Sequence, residues 1–209
     1  MENVKILGYN IIWEDVHKMI KVTLSNEILK YICVIEKNRY HVSSIKLSSN
    51  VANKLRKNSK KKSSYASNKI EGNPLTEKQV DEVIESDEKR HFLKPEQEIR
   101  NYFLALNYLE EKVKQKELFS KKLILDVQKL VEKGASKEKI GFRGAMPPGV
   151  LFAVYDSKTG NPDYIPPEYC DIPDLINELV EYVNTTDDHP LIIAAIVHYQ
   201  LVTIHPFED

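Results

Sequence analysis

Three residues at the end of the sequence, His205, Glu208 and Asp209, have the types and spacing that acid–base and metal chemistry use. A histidine titrates near neutral pH, so His205 could take a proton from a hydroxyl group. A carboxylate four residues further on, across a turn, could hold Mg²⁺ through one oxygen and leave the rest of the metal's shell to phosphates. The spacing alone fits a solvated helix end with an acidic tail at least as well.

The segment that leads to His205, "HPLIIAAIVHYQLVTIH", is apolar on every side from Leu191 to Val197. A helix that is apolar all round is typically buried, so this segment is predicted to be the central helix of a bundle. Pro206 cannot continue the helix and disfavours the α region for the residue before it. The sequence therefore places His205 where the central helix breaks.

The rest of the chain reads as helices with one exception. Helices are predicted to begin near Pro95, Ser120 and Asp171, and residues 1–50 are predicted to be mostly helical. Between the second and third of these helices lies "GFRGAMPPGVLFAVYDSKTGNPDYIPPEY", in which apolar side chains alternate before a chain reversal at "SKTGNPD". This pattern predicts a short β-hairpin, which is barely stable alone and has to lie on something or clamp something.

Composition limits the classes of function. A hydrophobic content of 42% is enough for a sizeable core, and a net charge of −1 gives no overall field towards nucleic acid or membrane. Neither a membrane span nor a secretory signal is recognisable, and Cys33 and Cys170 lie far apart, so a cytoplasmic location is expected. A local basic run could bind phosphates, but a solvated helix face is the favoured reading. The run consists of Lys54, Arg56, Lys57, Lys60, Lys61 and Lys62.

Two motifs together resemble the Fic family. "HYQLVTIHPFED" resembles the start of the Fic motif H-P-F-x-[D/E]-G-N-G-R with the helix before it, and "SNKIEG", Ser67 to Gly72, resembles the family's inhibitory motif [S/T]-x-x-x-E-[G/N]. Each pattern is short, but their order, with a hairpin between them, makes the pair specific. The resemblance covers roughly residues 60–209 and stops inside the motif after Asp209, so we expect the native protein to continue with the missing "GNGR" half.

The resemblance implies a fold and a domain plan. The fold would be mainly α, a Fic-type helical bundle around a central buried helix with one short β-hairpin flap. Residues 1–55 would form a mostly helical N-terminal extension, and residues 56–209 a truncated Fic core. That core would include an inhibitory helix at about 60–72 and the flap at about 150–165.

The resemblance also implies an activity, the transfer of AMP from ATP to a Ser, Thr or Tyr hydroxyl of a target protein. His205 would be the general base and Asp209 would coordinate Mg²⁺ on the phosphates, while Pro206 and Phe207 would hold the catalytic loop. Positioning and charge neutralisation carry most of such a transfer. Without the phosphate-binding half of the motif, we expect this chain to bind ATP poorly and to transfer little AMP.

Two further parts of the family are implied. Ser67, Glu71 and Gly72 would form an autoinhibitory motif in which Glu71 pairs with an arginine of the missing segment; alternatively, Glu71 is merely an exposed carboxylate at a helix end. The flap would dock an extended segment of the target by main-chain pairing. Its docking residues would be Val150, Leu151, Phe152, Ala153 and Val154.

Two other functions stay open. The same fold could remove AMP, with Glu71 orienting the attacking water, or transfer another phosphate-linked group. Alternatively, the chain could be a non-enzymatic regulatory module that binds through the basic run, although neither a membrane nor nucleic acid is the expected partner. The target protein, the native length, homo-oligomer formation and the signal that relieves inhibition do not follow from the sequence.

Overall fold

A computed structural model describes residues 4–6, 9–11, 23–86, 91–135, 140–156 and 158–208 of the chain. These residues form a mainly α-helical protein, as predicted. The helices are α1 (Asn26–Ser44), α2 (Ser49–Ile70), α3 (Glu77–Glu85), α4 (Lys94–Lys114), α5 (Lys121–Glu132), α6 (Ile172–Thr185) and α7 (Pro190–Ile204). The strands are β1 (Val4–Ile6), β2 (Tyr9–Ile11), β3 (Val154–Tyr155) and β4 (Pro162–Tyr164).

The chain divides into two compact units. The helical unit comprises Asn26–Leu118 and Lys122–Ile140, and the flap unit comprises Met1–Ser25, Phe119–Lys121 and Gly141–Asp209. The expected domain boundary between residues 55 and 56 falls inside α2. No helix in the described ranges is long and apolar enough to cross a membrane.

The helical unit has its core where α2, α3 and α4 pack together. Val80, Val83 and Ile99 are its buried centre, because apolar residues three apart on α3 face the second turn of α4. A capping box fixes the start of α3. The Thr76 hydroxyl accepts from the backbone N–H of Gln79, and the side-chain oxygen of Gln79 accepts from the backbone N–H of Thr76. These contacts hold the C-terminal end of α2 beside two neighbouring helices.

Two of the six cations in the basic run of α2 make contacts inside the helical unit. Lys60 binds Asn107 at 2.6 Å and pairs with Glu110 on α4. Lys61 pairs with two α3 carboxylates at 3.0 and 2.8 Å, those of Asp81 and Glu85. The other four cations are exposed, so the run is a largely solvated helix face with two cations that tie α2 to its neighbours.

The N-terminal region differs in part from the prediction. Residues 26–44 are helical as expected, but β1 and β2 form an antiparallel hairpin in which Val4 pairs with Ile11. Strands of three residues are too short to leave a readable periodicity in the sequence. For this reason the reading of residues 1–50 as mostly helical missed the hairpin.

The flap unit is built on α6 and α7, which pack against each other. The inner face of α6 consists of Ile172, Leu175, Ile176 and Leu179, which are all buried. Their spacing of three and four residues places them on one stripe of the helix. The predicted hairpin is present as β3 and β4, with Val154 opposite Tyr164.

Helix α7 is less buried than its sequence suggests. Ile196, Thr203 and Ile204 are buried, whereas Leu191 and Val202 are 42% and 55% exposed. The prediction of burial on every side is therefore wrong for this structure, in which α7 covers one apolar face and leaves the other open. Composition reports that a helix is apolar, but not how many neighbours it has.

Because α7 is buried on one side only, shortening a side chain on each side should lower the free energy of unfolding by different amounts. Ile196→Ala should lower the free energy of unfolding by about 2–5 kcal/mol, because it leaves a cavity in a packed face. Val202→Ala, on the open face, should change it by less than about 0.5 kcal/mol. Urea unfolding followed by circular dichroism measures both, and equal losses would contradict the exposed face.

Candidate active site

His205 ends α7 in an unusual backbone conformation. Its φ and ψ are 45° and 62°, in the left-handed region, and its N–H donates to the Leu201 carbonyl at 3.0 Å. The helix thus stops at the residue before Pro206 and the α region is avoided, as predicted. A left-handed conformation costs a non-glycine residue about 1–2 kcal/mol, so the surroundings have to hold it in place.

Four consecutive carbonyl groups at this helix end accept hydrogen bonds from the segment that contains the flap. The last carbonyls of an α-helix lack partners within the helix, so such donors stabilise its end. The donors are Tyr164 Oη to Thr203 at 2.6 Å, Arg143 Nη2 to Ile204 at 3.4 Å, Arg143 Nε to His205 at 2.8 Å and the Arg143 backbone N–H to Pro206 at 2.8 Å.

Arg143 supplies most of this clamp. The residue is only 6% exposed, and its Nη2 also donates to the carbonyl of Pro167. Burial lowers the pKa of Arg143 from its ordinary value, against the opposing charge of Glu168. An arginine nevertheless stays protonated in proteins, so a buried cation lies at the negative end of the α7 dipole, where it is favourable.

Tyr164 contributes the fourth hydrogen bond from strand β4. Burial, reinforced by Tyr199, raises the pKa of its hydroxyl to about 12. The hydroxyl therefore remains a neutral donor at any physiological pH, and the hairpin stays joined to the last turn of α7.

Aromatic side chains pack on both sides of this helix end. The Phe152 ring lies 5.6 Å from the His205 ring between centroids, and the Arg143 guanidinium carbon is 4.5 Å from the Phe152 centroid. The Phe207 ring lies 5.8 Å from that of Phe142. Phe152 is thus in contact with both the imidazole and the cation that caps the helix.

The remaining residues of the "HPFED" segment differ in burial. Pro206 is buried, Phe207 is half-buried and Glu208 is exposed. Asp209, the expected Mg²⁺ ligand, lies outside the described residues, and within the described part of the chain no group of three His, Cys, Asp or Glu side chains could hold a metal. The magnesium site therefore stays a prediction that depends on Asp209.

The flap residues predicted to dock a target are mostly accessible. Val150 and Leu151 are each 50% exposed and Val154 is 39% exposed, whereas Phe152 and Ala153 are half-buried. The regular strand starts only at Val154, so the alternation in the sequence extends beyond the observed strand.

The reversal of the hairpin is held by the carboxylate of Asp156. It accepts from the backbone N–H groups of Lys158 and Thr159 at 2.6 and 2.9 Å, which keeps the pKa of Asp156 below its ordinary value. Gly160 has φ 69°, a conformation that suits glycine in a turn. The tip is therefore a defined turn, and it presents a two-stranded hairpin with free outer edges within the described residues.

The predicted inhibitory motif lies at the C-terminal end of α2 in the helical unit. Glu71 is the C-cap residue, and Gly72 follows with φ 85°. The Gly72 N–H donates to Lys69 and the Asn73 N–H donates to Asn68, which together make a Schellman motif. The helix therefore ends one residue before the glutamate, with glycine where a left-handed residue is needed.

Two further contacts fix this helix end. The hydroxyls of Ser67 and Tyr102 lie 2.9 Å apart, which ties α2 to α4. Asn73 is buried, and its amide nitrogen donates to the Pro95 carbonyl and the Glu98 carboxylate at 3.0 Å each. Glu71 itself is exposed. The backbone at Glu71 is thus fixed in a defined helix end, while its side chain extends to the surface.

Sequence reasoning missed Arg143, Tyr164 and Asn73. Arg143 stands between glycines in "GFRG", and a lone cation in an otherwise glycine- and proline-rich stretch was the only signal for it. Tyr164 and Asn73 look like ordinary loop or strand residues in the sequence. Their partners are mainly backbone carbonyls, which leave no trace in residue types.

Comparison with known proteins supports the resemblance of the sequence motifs. Residues 118–209 match the family model of the Fic/DOC family. The structure is similar to that of a Fic family protein from Desulfovibrio desulfuricans G20, with a TM-score of 0.69 and 24% identity over 90% of this chain. It is also similar to a Fic domain containing signaling protein from Bacteroides thetaiotaomicron VPI-5482, with a TM-score of 0.62 and 23% identity over 78% of this chain.

These solved structures share the fold of this chain, and the chain spans 54% and 61% of their respective lengths. The matched region contains α5, the flap, α6, α7 and the described part of "HPFED". Residues 118–209 thus match the Fic/DOC family model, and the chain has the fold of these two Fic proteins.

Proposed function

We propose that the protein transfers AMP from ATP to a Ser, Thr or Tyr hydroxyl of a target protein. Fic domains generally transfer phosphate-linked groups such as AMP. The observation that carries the proposal is the position of His205. Its imidazole belongs to a clamped helix end and lies 5.6 Å from Phe152 in the exposed segment that leads into the hairpin.

In the proposed reaction, the neutral imidazole of His205 takes the proton of the target hydroxyl. The hydroxyl oxygen forms a bond to the α-phosphorus of ATP, the bond from this phosphorus to the bridging oxygen breaks, and pyrophosphate leaves with that electron pair. Mg²⁺, which Asp209 would hold, neutralises phosphate charge when it is bound. The backbone N–H and carbonyl of His205 are both hydrogen-bonded, which fixes the position of the residue. The imidazole would therefore need little reorientation to take the proton of the hydroxyl.

Besides a base, the proposed reaction requires a surface that binds the target chain, and the flap would provide it. A hairpin with unpaired outer edges can accept an extended peptide through main-chain hydrogen bonds. Val150, Leu151 and Val154 add exposed apolar surface for alternate side chains of that peptide. This arrangement selects an extended segment with a hydroxyl near His205 and does not depend on one target sequence.

We further propose that Glu71 inhibits the transfer. The Schellman motif and the buried Asn73 fix the backbone at this helix end, and the exposed Glu71 side chain projects from it, accessible to a cation. An arginine that binds the ATP phosphates is the kind of cation with which this carboxylate would compete for contacts.

Removal of AMP is the second candidate, and the exposed Glu71 at the end of α2 favours it. A carboxylate can orient a water molecule for attack on a phosphodiester. The two candidates give opposite results for one substitution: loss of Glu71 should increase transfer in the first case and abolish removal in the second. Mass spectrometry of the target before and after incubation separates them.

His205→Asn should lower AMP transfer by about 10²- to 10⁴-fold, since the general base is lost. Asparagine tolerates the left-handed conformation, so the helix end should be kept. The measurement is the incorporation of labelled AMP by the complete gene product, with unfolding midpoints to check the fold. His198→Asn, on the exposed side of the same helix, is the matched control and should keep full activity. Equal losses in both variants would refute the assignment of the base.

Glu71→Gln should increase auto-modification by about 5- to 150-fold, the range of typical regulatory couplings. The substitution removes the charge and keeps the shape of the side chain, so the Schellman motif should persist. Glu82→Gln, another exposed glutamate of the helical unit, serves as the control and should have no effect. An unchanged rate in Glu71→Gln, in a protein whose His205→Asn variant is inactive, would show that Glu71 is not inhibitory.

A further inference from the structure

We infer that Arg143 is a positioning residue for His205: its buried side chain holds the left-handed backbone at the end of α7 and thereby fixes the imidazole. The geometric part of this inference stands on the structure of the flap unit alone. Its catalytic consequence rests on the proposed function.

The left-handed backbone of His205 needs support from residues outside α7. Helices commonly end with a left-handed residue, and this residue is usually glycine because it has no Cβ. Here the position is filled by a β-substituted residue with φ 45°, immediately before a proline that cannot donate a hydrogen bond. The usual Schellman closure, in which the next residue donates back to the helix, is therefore impossible.

The single bond from the His205 N–H to the Leu201 carbonyl closes the helix, and Arg143 adds further donors from outside it. Its Nε donates to the carbonyl of His205 itself, and its backbone N–H donates to the carbonyl of Pro206, both at 2.8 Å. These two bonds fix the orientations of two successive carbonyls, that of the His205–Pro206 peptide and that of the peptide after Pro206. A rotation of His205 out of the left-handed region would break the first of them.

The Arg143 side chain is also linked to the imidazole by the Phe152 ring, which contacts both groups. The guanidinium lies over the Phe152 ring at 4.5 Å, and this ring is 5.6 Å from that of His205. A planar guanidinium can donate to several carbonyls in its plane and stack on a ring with its face, whereas an ammonium group cannot do both. Lysine should therefore fail to replace Arg143 although it keeps the charge.

Tyr164 offers a comparison within the same clamp. Its hydroxyl caps the carbonyl of Thr203, two residues before His205, and the ring contacts of Phe152 involve Arg143 and His205. Tyr164→Phe removes one capping hydrogen bond from α7 but leaves every described contact of His205 intact. An effect on helix stability alone would appear in both variants, whereas an effect on His205 should appear only with Arg143.

The test follows the imidazole signals by NMR in the 209-residue chain, without nucleotide or target. The His205 signal is identified by its loss in His205→Asn. In Arg143→Lys this signal should move towards the position of an unstructured histidine, because its ring contact with Phe152 is lost, while the His198 signal stays. In Tyr164→Phe both signals should stay. In the wild type, the Arg143 Nε–H should exchange slowly with solvent.

The catalytic consequence is tested separately in the complete gene product. Arg143→Lys should lower kcat for AMP transfer by about 10²-fold, the effect of a misplacement of roughly 1 Å, and leave KM for ATP nearly unchanged. An unmoved His205 signal in folded Arg143→Lys, or a fast-exchanging Nε–H in the wild type, overturns the inference. So does failure of both Arg143→Lys and Arg143→Gln to fold. A moved signal without any AMP transfer in the wild type would refute the proposed function alone.

Discussion

The end of helix α7 is the constraint on which the rest of the flap unit depends. Pro206 lacks the N–H that would make the second hydrogen bond of a Schellman motif, and the residue before it adopts a left-handed conformation that costs energy. The exposed carbonyl ends of the helix then need donors from elsewhere in the chain. Arg143 and Tyr164 provide these donors, and each brings a different part of the flap segment to the helix.

This requirement also explains why a hairpin of two short strands is stable. An isolated hairpin is marginal in water, and here the pairing of β3 with β4 covers only a few residues. Tyr164 anchors β4 to the last turn of α7, and Phe152 anchors the approach to β3 between Arg143 and His205. The helix end and the hairpin therefore stabilise each other, which couples the position of His205 to the position of the flap.

The sequence predicted the elements of this arrangement better than the contacts between them. The end of α7 before Pro206 and the chain reversal near Gly160 followed from residue types, because proline and glycine restrict the local backbone. The role of Arg143 could not be predicted, since the carbonyl that it binds lies 62 residues further along the chain and every residue carries a carbonyl. Burial of α7 on every side was wrong for a related reason: an apolar pattern does not report how many neighbours a helix has.

The charge at the end of α2, where Glu71 lies, is opposite to the charge at the end of α7. At the end of α7 a buried cation lies where the helix dipole favours positive charge, whereas at the end of α2 an exposed carboxylate lies where the dipole disfavours negative charge. Gly72 and the buried Asn73 make that helix end rigid without neutralising the carboxylate. A carboxylate in an unfavourable field gains more from binding a cation than one in a neutral field does. The exposed position of Glu71 at this helix end therefore favours contact with a cation.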